Sequence, residues 1–238
     1  MLKPWLKQEW CIPTCSADFV YRMEDILDVY RRPYSPSYPV VCMDESSKQN
    51  ERSKLKNITA TKRHKERFDT GYERNGVSNI FLSFEPLSGK RWLSIAERRT
   101  RADWARHIQE LVEVRYRNVE KVILVLDNLN IHTGAALYEL FEPAHAKRIL
   151  DKLEFHYTPK HGSWLNIAEI ELSHLFRQCL NRRLADIDEI RVETNAWMVE
   201  RNKNSTCVNW QFTTKDARIK LKKLYPDIQK NDKINEIV

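Results

Sequence analysis

Three carboxylates stand out by position. Asp44 follows the apolar run 40–43, and Asp127 follows the apolar run 122–126. The end of a buried strand is a rigid place from which a side chain can face a cleft at a sheet edge. An aspartate there can equally be a turn former or a helix cap, so neither residue alone makes a site. Glu169 emerges from helical spacing. In the helix predicted to start near Ser163, Leu165, Ala168, Leu172, Leu175, Phe176 and Cys179 share one apolar face, and Glu169 lies within the edge of that stripe. Glu171 points further away from it. A carboxylate beside a core-facing stripe costs free energy unless it is paired, capped or bound to a metal; the alternative is simple first-turn placement against the helix dipole. Together, carboxylates from two strand ends and one helix start would suit two Mg²⁺ ions, which take hard oxygen ligands and keep positions open for phosphate and water. A metal pair about 4 Å apart can activate an attacking oxygen and stabilise a leaving one.

Other chemistries lack their residues. The run VVCMDE resembles the metal strand of a nucleotide hydrolase, but the phosphate loop that must accompany it is missing. Gly71 and Gly76 have the right gap, yet Val77 stands where the lysine should be. Five glycines in the whole chain leave no dinucleotide-binding loop, and no G-x-S-x-G elbow occurs. His156 and His161 are five residues apart with no cysteine pair nearby, which argues against structural zinc.

The elements that must carry the three acids read as follows. A helix is predicted over 16–30, capped by Ser16, with Phe19, Val20, Met23, Ile26, Leu27 and Tyr30 at helical spacing. Pro33, Pro36 and Pro39 then stop it. A short strand over 40–43 precedes a polar, loop-like stretch from 45 to 75. Strands follow over 77–84 and 91–95, around a turn at 86–89. A helix spans 100–117 with Trp104, Ile108, Leu111 and 114–116 on one side, and 122–126 is a buried strand. A helical stretch over 134–153 breaks at Pro143, a short strand covers 155–157, and an amphipathic helix runs over 164–180. The tail 186–238 is mainly helical. Strand, hairpin, helix, strand, helix, strand, helix is the order of a mixed α/β sheet with helices packed on it.

The 238 residues carry 42% hydrophobic and 31% charged side chains, enough for a packed core and unlike a disordered polymer. No apolar run is long enough to cross a membrane, and MLKPWLKQEW lacks the pattern of a secretory leader. Five scattered cysteines read as reduced thiols, so a cytoplasmic location is expected. The net charge of +7 makes a polyanion a plausible partner. Residues 46–76 hold nine basic side chains against four acidic, so most of the excess charge sits in one segment.

Three strings are familiar: VCMDES, ILVLDNLNIHTGAAL and HYTPKHGSWLNIAEIELSHL. They resemble the three catalytic blocks of mariner-superfamily transposases in their bacterial insertion-sequence branch. YERNGVSNIF, FEPLSGKRW and WQFTTKDARIKLKKLYP extend the resemblance from about Cys11 to Pro226. It implies a ribonuclease-H-like fold, with an N-terminal arm and proline-rich linker at 1–37, a catalytic domain at 38–185 and a C-terminal helical extension at 186–238. It also implies a D-D-E triad of Asp44, Asp127 and Glu169 holding two Mg²⁺ ions, for which Mn²⁺ could substitute. Asn128 and His132 match polar positions after the second aspartate, where they would support the ligands or face DNA, and Asn166 would support the third acid. The basic insert 46–76 falls where the family has a loop that clamps DNA or the partner subunit. Lys48, Arg52, Lys54, Lys56, Lys62, Arg63, Lys65, Arg67 and Lys160, together with His132, are the candidate DNA contacts.

Two features depart from the family. The spacing from Asp127 to Glu169 exceeds the one common in mariner relatives, which suggests extra helix over 138–153. Before Asp44 nothing resembles the paired helix-turn-helix units that find transposon ends. The chain therefore reads as the catalytic half of a split or truncated transposase, acting on double-stranded transposon ends and target DNA as a homodimer, with a helix-turn-helix segment supplied upstream or separately. Two competitors remain. A catalytically silent DNA-binding remnant would share the ancestry, and a Mg²⁺ phosphohydrolase of small molecules would explain the acids but not the basic insert.

Overall fold

The computed structural model describes residues 16–55, 58–67 and 70–226. Five strands form one mixed sheet: β1 (Val40–Ser53), β2 (Tyr72–Glu85), β3 (Lys90–Ala96), β4 (Val122–Leu126) and β5 (Leu153–Tyr157), in the order β3-β2-β1-β4-β5. β2 runs antiparallel to both β1 and β3, whereas β4 runs parallel to β1 and β5. The parallel neighbours β4 and β5 are joined through helices, whereas the antiparallel β2 and β3 are joined by a short turn. At the β2–β3 turn Gly89 adopts φ +68, and a Cβ there would come within 2.7 Å of the Ser205 backbone. Only glycine fits that position.

Strand alternation splits the core between the two faces of the sheet. Cys42, Ile80, Leu82, Phe84, Ile123 and Val125 face α1 (Ala17–Tyr30), α5 (Ala168–Leu175), α6 (Ile187–Lys203) and α7 (Thr214–Lys220). Val41, Met43, Phe81, Leu124 and Leu126 face α2 (Arg101–Glu110), α3 (Ala135–Leu140) and α4 (Pro143–Asp151). The predicted spacing of α1 is realised: Ser16 caps it by accepting from the Phe19 N–H, and Phe19, Met23, Ile26, Leu27 and Tyr30 are buried against the sheet. Pro143 starts α4, as a proline at the first helical position should.

Three expectations change. β1 does not stop at Met43 but continues to Ser53, paired residue by residue with β2. The two ends of the stretch read as a loop over 45–75 thus belong to a long β-hairpin, and its polar residues hid the strands because pairing, not an apolar period, holds them. Residues 111–115 wind as a π-turn after α2, which rotates Val114 out to solvent while Tyr116 stays buried. The helix expected over 164–180 is a 3₁₀ turn at Ser163–Leu165, then α5, then a π-turn at Phe176–Leu180. Lys56 and the ends 1–15 and 227–238 lie outside the described residues. Among the described residues, no helix is long and apolar enough to cross a membrane.

Candidate active site

The parallel pairing of β1 with β4 covers Val40–Cys42 against Ile123–Val125 and goes no further. Beyond Cys42 the two strands part, and the next residues on the α5 face are Asp44 on β1 and Asp127 just past β4. On the β1 side of the gap sits Asn166, whose buried side chain donates to the Met43 carbonyl at 2.8 Å and accepts from the Ala168 N–H at 3.1 Å. That clamp fixes the start of α5 against β1 and places Glu169, in the first turn, beside the parted strands.

A second clamp comes from α1. The buried Tyr30 hydroxyl donates to the Leu165 carbonyl at 2.7 Å and accepts from the Ile167 N–H at 3.3 Å. Tyr30→Phe is expected to orphan both backbone groups, lower stability by about 1–3 kcal/mol, and loosen the turn that carries Glu169. Urea unfolding would read the first effect, and catalytic turnover at saturating metal the second.

The charges of Glu45, Asp127 and Glu169 all bear on Asp44. Burial, and then the charges of Glu45, Asp127 and Glu169, push the Asp44 carboxyl up to about 7, even though the Glu45 N–H donates to it at 2.8 Å. Like charges gathered this closely favour a cation, and an all-carboxylate donor set with a solvent-facing side suits a hard divalent ion. The site therefore fits Mg²⁺.

Two buried neighbours complete it. His132 directs Nδ1 to Asp127 Oδ1 at 2.5 Å and Nε2 to Glu45 Oε2 at 3.1 Å. These are ion-pair contacts rather than well-aligned hydrogen bonds. Burial opposes a charge on the imidazole, but Asp127 and Glu45 outweigh it and raise His132 to about 9. Ligand-type atoms of Glu45, Asp127 and His132 lie within 4.8 Å of one another. In this trio each ring nitrogen of His132 faces a different carboxylate.

The remaining candidates fall into two groups. Asn128 and Lys160 are exposed. Lys54, Lys62, Arg63, Lys65 and Arg67 are exposed around the hairpin tip, Lys48 is half-buried on β1, and Arg52 stands 3.8 Å from Asp186. His132 is fully buried, so the expectation that it contacts DNA is corrected: no phosphate reaches an enclosed ring. Glu171 also departs from its reading. It does point away from the triad, but into the interior, where it pairs with Arg91 at 2.5 Å and Arg201 at 2.8 Å. Glu45 and Tyr30 escaped the sequence reading. The signal for Glu45 was its register: once β1 extends past Met43, Glu45 shares the buried face of Val41 and Met43 and needs a partner.

A family model described as DDE superfamily endonuclease matches residues 39–191, more than half of the chain. The chain belongs to that family. All three acids of this DDE endonuclease domain fall inside the matched stretch. Its fold is similar to that of solved Mos1 structures: the Mos1 mariner paired end complex with Mn (TM-score 0.54, 14% identity, 84% of this chain and 62% of that one) and the Mos1 transposase paired-end complex with left transposon end (0.52, 14%, 84% and 62%). The Mos1 strand transfer complex is similar as well (0.50, 14%, 84% and 61%). The DDE chain thus spans about three-fifths of the length of those transposases and shares their ribonuclease-H-like sheet. No curated protein sequence matches it.

Proposed function

We propose that this chain is the catalytic part of a mariner-type transposase of a bacterial insertion sequence, cutting DNA and joining strands with divalent metal. What supports the reading is the match of residues 39–191 to a DDE endonuclease family, with Asp44 under the charges of Asp127 and Glu169 inside that stretch. The three acids would hold two Mg²⁺ ions, or Mn²⁺ in their place, and the ions would supply Lewis-acid stabilisation of the attacking and leaving oxygens. The protein's own contribution is placement. Asn166 and Tyr30 fix the α5 start, the sheet fixes Asp44, and His132 fixes Asp127. Water attacks a phosphodiester at the element end, breaking one P–O bond and freeing a 3′-OH. That hydroxyl would then attack a target phosphodiester in line at the same site, forming a new P–O bond as the bond to the target strand's 3′ oxygen breaks and that strand leaves with a free 3′-OH. Double-stranded DNA, a second copy of the chain and a helix-turn-helix segment supplied upstream or separately are the partners this reading requires.

The hairpin beyond Ser47 and Asn79 extends past β3 and β4, and its exposed lysines and arginines suit phosphates. Duplex affinity should fall steeply with salt, and Lys62→Ala, Arg63→Ala and Lys65→Ala should each reduce the slope of log K against log salt by about 1. Binding titrations at four salt concentrations would check this. The reading itself is tested by nicking of supercoiled plasmid in Mg²⁺. Cleavage that disappears on chelation is expected; intact plasmid alongside tight duplex binding would favour the silent remnant.

A further inference from the structure

The geometry points to Glu45 as a positioning residue that holds Asp127, through His132, in the orientation needed to take a metal ion. This rests on the triad reading above and extends it to a residue on the opposite face of the sheet. Asp44 and Glu45 are consecutive on β1, so their side chains leave by opposite faces. Asp44 joins the triad directly. Glu45 enters the α2–α3 layer, where its side chain is 1% exposed and stands 3.1 Å from His132 Nε2. The same ring brings Nδ1 to within 2.5 Å of Asp127 Oδ1 and 3.1 Å of the Asp127 carbonyl.

The imidazole is fully enclosed and lies against the Trp104 ring at 5.8 Å between centroids, while the Tyr157 hydroxyl holds the His132 backbone by donating to its carbonyl at 2.9 Å. Asp127 itself follows the last residue of β4 and is partly open to solvent, so neither strand pairing nor packing on its own selects its rotamer. The close carboxylate–imidazole–carboxylate contacts supply that constraint, the outer acid holding the ring and the ring holding the inner acid. Groups behind a metal ligand commonly set its orientation, and removing them costs about 10–100-fold in metal affinity. Arg99 approaches Glu45 from the surface at 3.6 Å and is half exposed, so it neutralises charge without fixing direction. The competing account is a buried ion pair that only stabilises the fold, or a negative charge that attracts the ion through space.

Reach and charge separate these accounts, read by Mn²⁺ titration calorimetry on the whole chain. Glu45→Gln keeps the reach to His132 and loses the charge; Glu45→Asp keeps the charge and withdraws by one methylene. Positioning predicts that Glu45→Asp weakens Mn²⁺ binding about 10–100-fold while Glu45→Gln keeps most of the affinity. It also predicts that Glu45→Ala adds no further loss on a His132→Ala background, since both act along one path. The opposite ranking of Gln and Asp, multiplying losses in the double variant, or unchanged affinity in Glu45→Asp would overturn the inference. Asp127→Asn serves as the control. Unchanged Mn²⁺ affinity there would sink the triad reading instead, so the two failures are distinguishable. Thermal melting confirms that each variant is folded, and Gln and Asp carry the test if alanine is not.

Discussion

Asp127→Asn is expected to remove Mg²⁺-dependent DNA cleavage, with a fall of at least about a thousandfold, or ~4 kcal/mol of barrier. The substitution keeps volume and loses the charge that a divalent ion needs. Duplex binding should be unchanged or tighter, because one negative charge leaves the face that meets phosphates. The fold should survive, since Asp127 is partly exposed and lies just after β4 rather than in its ladder. The measurement pairs nicking rates in Mg²⁺ with binding at fixed salt. Rates within a few-fold of the wild type would show that Asp127 holds no catalytic ion.

The largest effect on stability is expected at Arg91. Its side chain is fully buried, bonds Glu171 at 2.5 Å, and donates to the Gly89 and Thr206 carbonyls at 2.6 and 2.8 Å. Arg201 completes the group from α6, so one ionic cluster ties β3, α5 and the segment after α6 together. Burial raises the Glu171 carboxyl, but the two arginines outweigh it and hold the group below its ordinary value. Arg91→Met leaves Glu171 buried with half its compensation and three acceptors without a donor. It should cost about 3–5 kcal/mol. The double variant Arg91→Met with Glu171→Leu should cost less than Arg91→Met alone, because the fully buried carboxylate is gone and only Arg201, which keeps some access to solvent, loses its partner. Urea denaturation of the three proteins decides it. A single variant as stable as the wild type would mean that water, not Arg91, satisfies Glu171.

The same two acids show what the sequence made legible and what it did not. β4 was readable because five apolar residues in a row have no other home than a sheet covered on both faces. Asp127 came with it. α1 was readable from its cap and its 3.6-residue spacing, but not its role: nothing local says that Tyr30 reaches across to Leu165 and Ile167, 135 residues away. Glu169 and Glu171 both sit in the first turn of α5, and periodicity favours the former for the core edge. The interior instead took Glu171, because Arg91 and Arg201 arrive from elements far along the chain. Glu45 was hidden by an early strand end: with β1 stopped at Met43 its register was undefined. The long hairpin was hidden for a related reason, since ESSKQNERS has no apolar alternation and is held by cross-strand pairing with β2.

The central claim is that Asp44, Asp127 and Glu169 together take the metal. Anomalous diffraction from crystals grown with Mn²⁺ tests it most directly. The account predicts anomalous peaks within coordination distance of carboxylate oxygens from all three residues, with His132 still bridging Asp127 and Glu45. A peak bonded to a His132 nitrogen, or one held without Asp44 and Glu169, would contradict it.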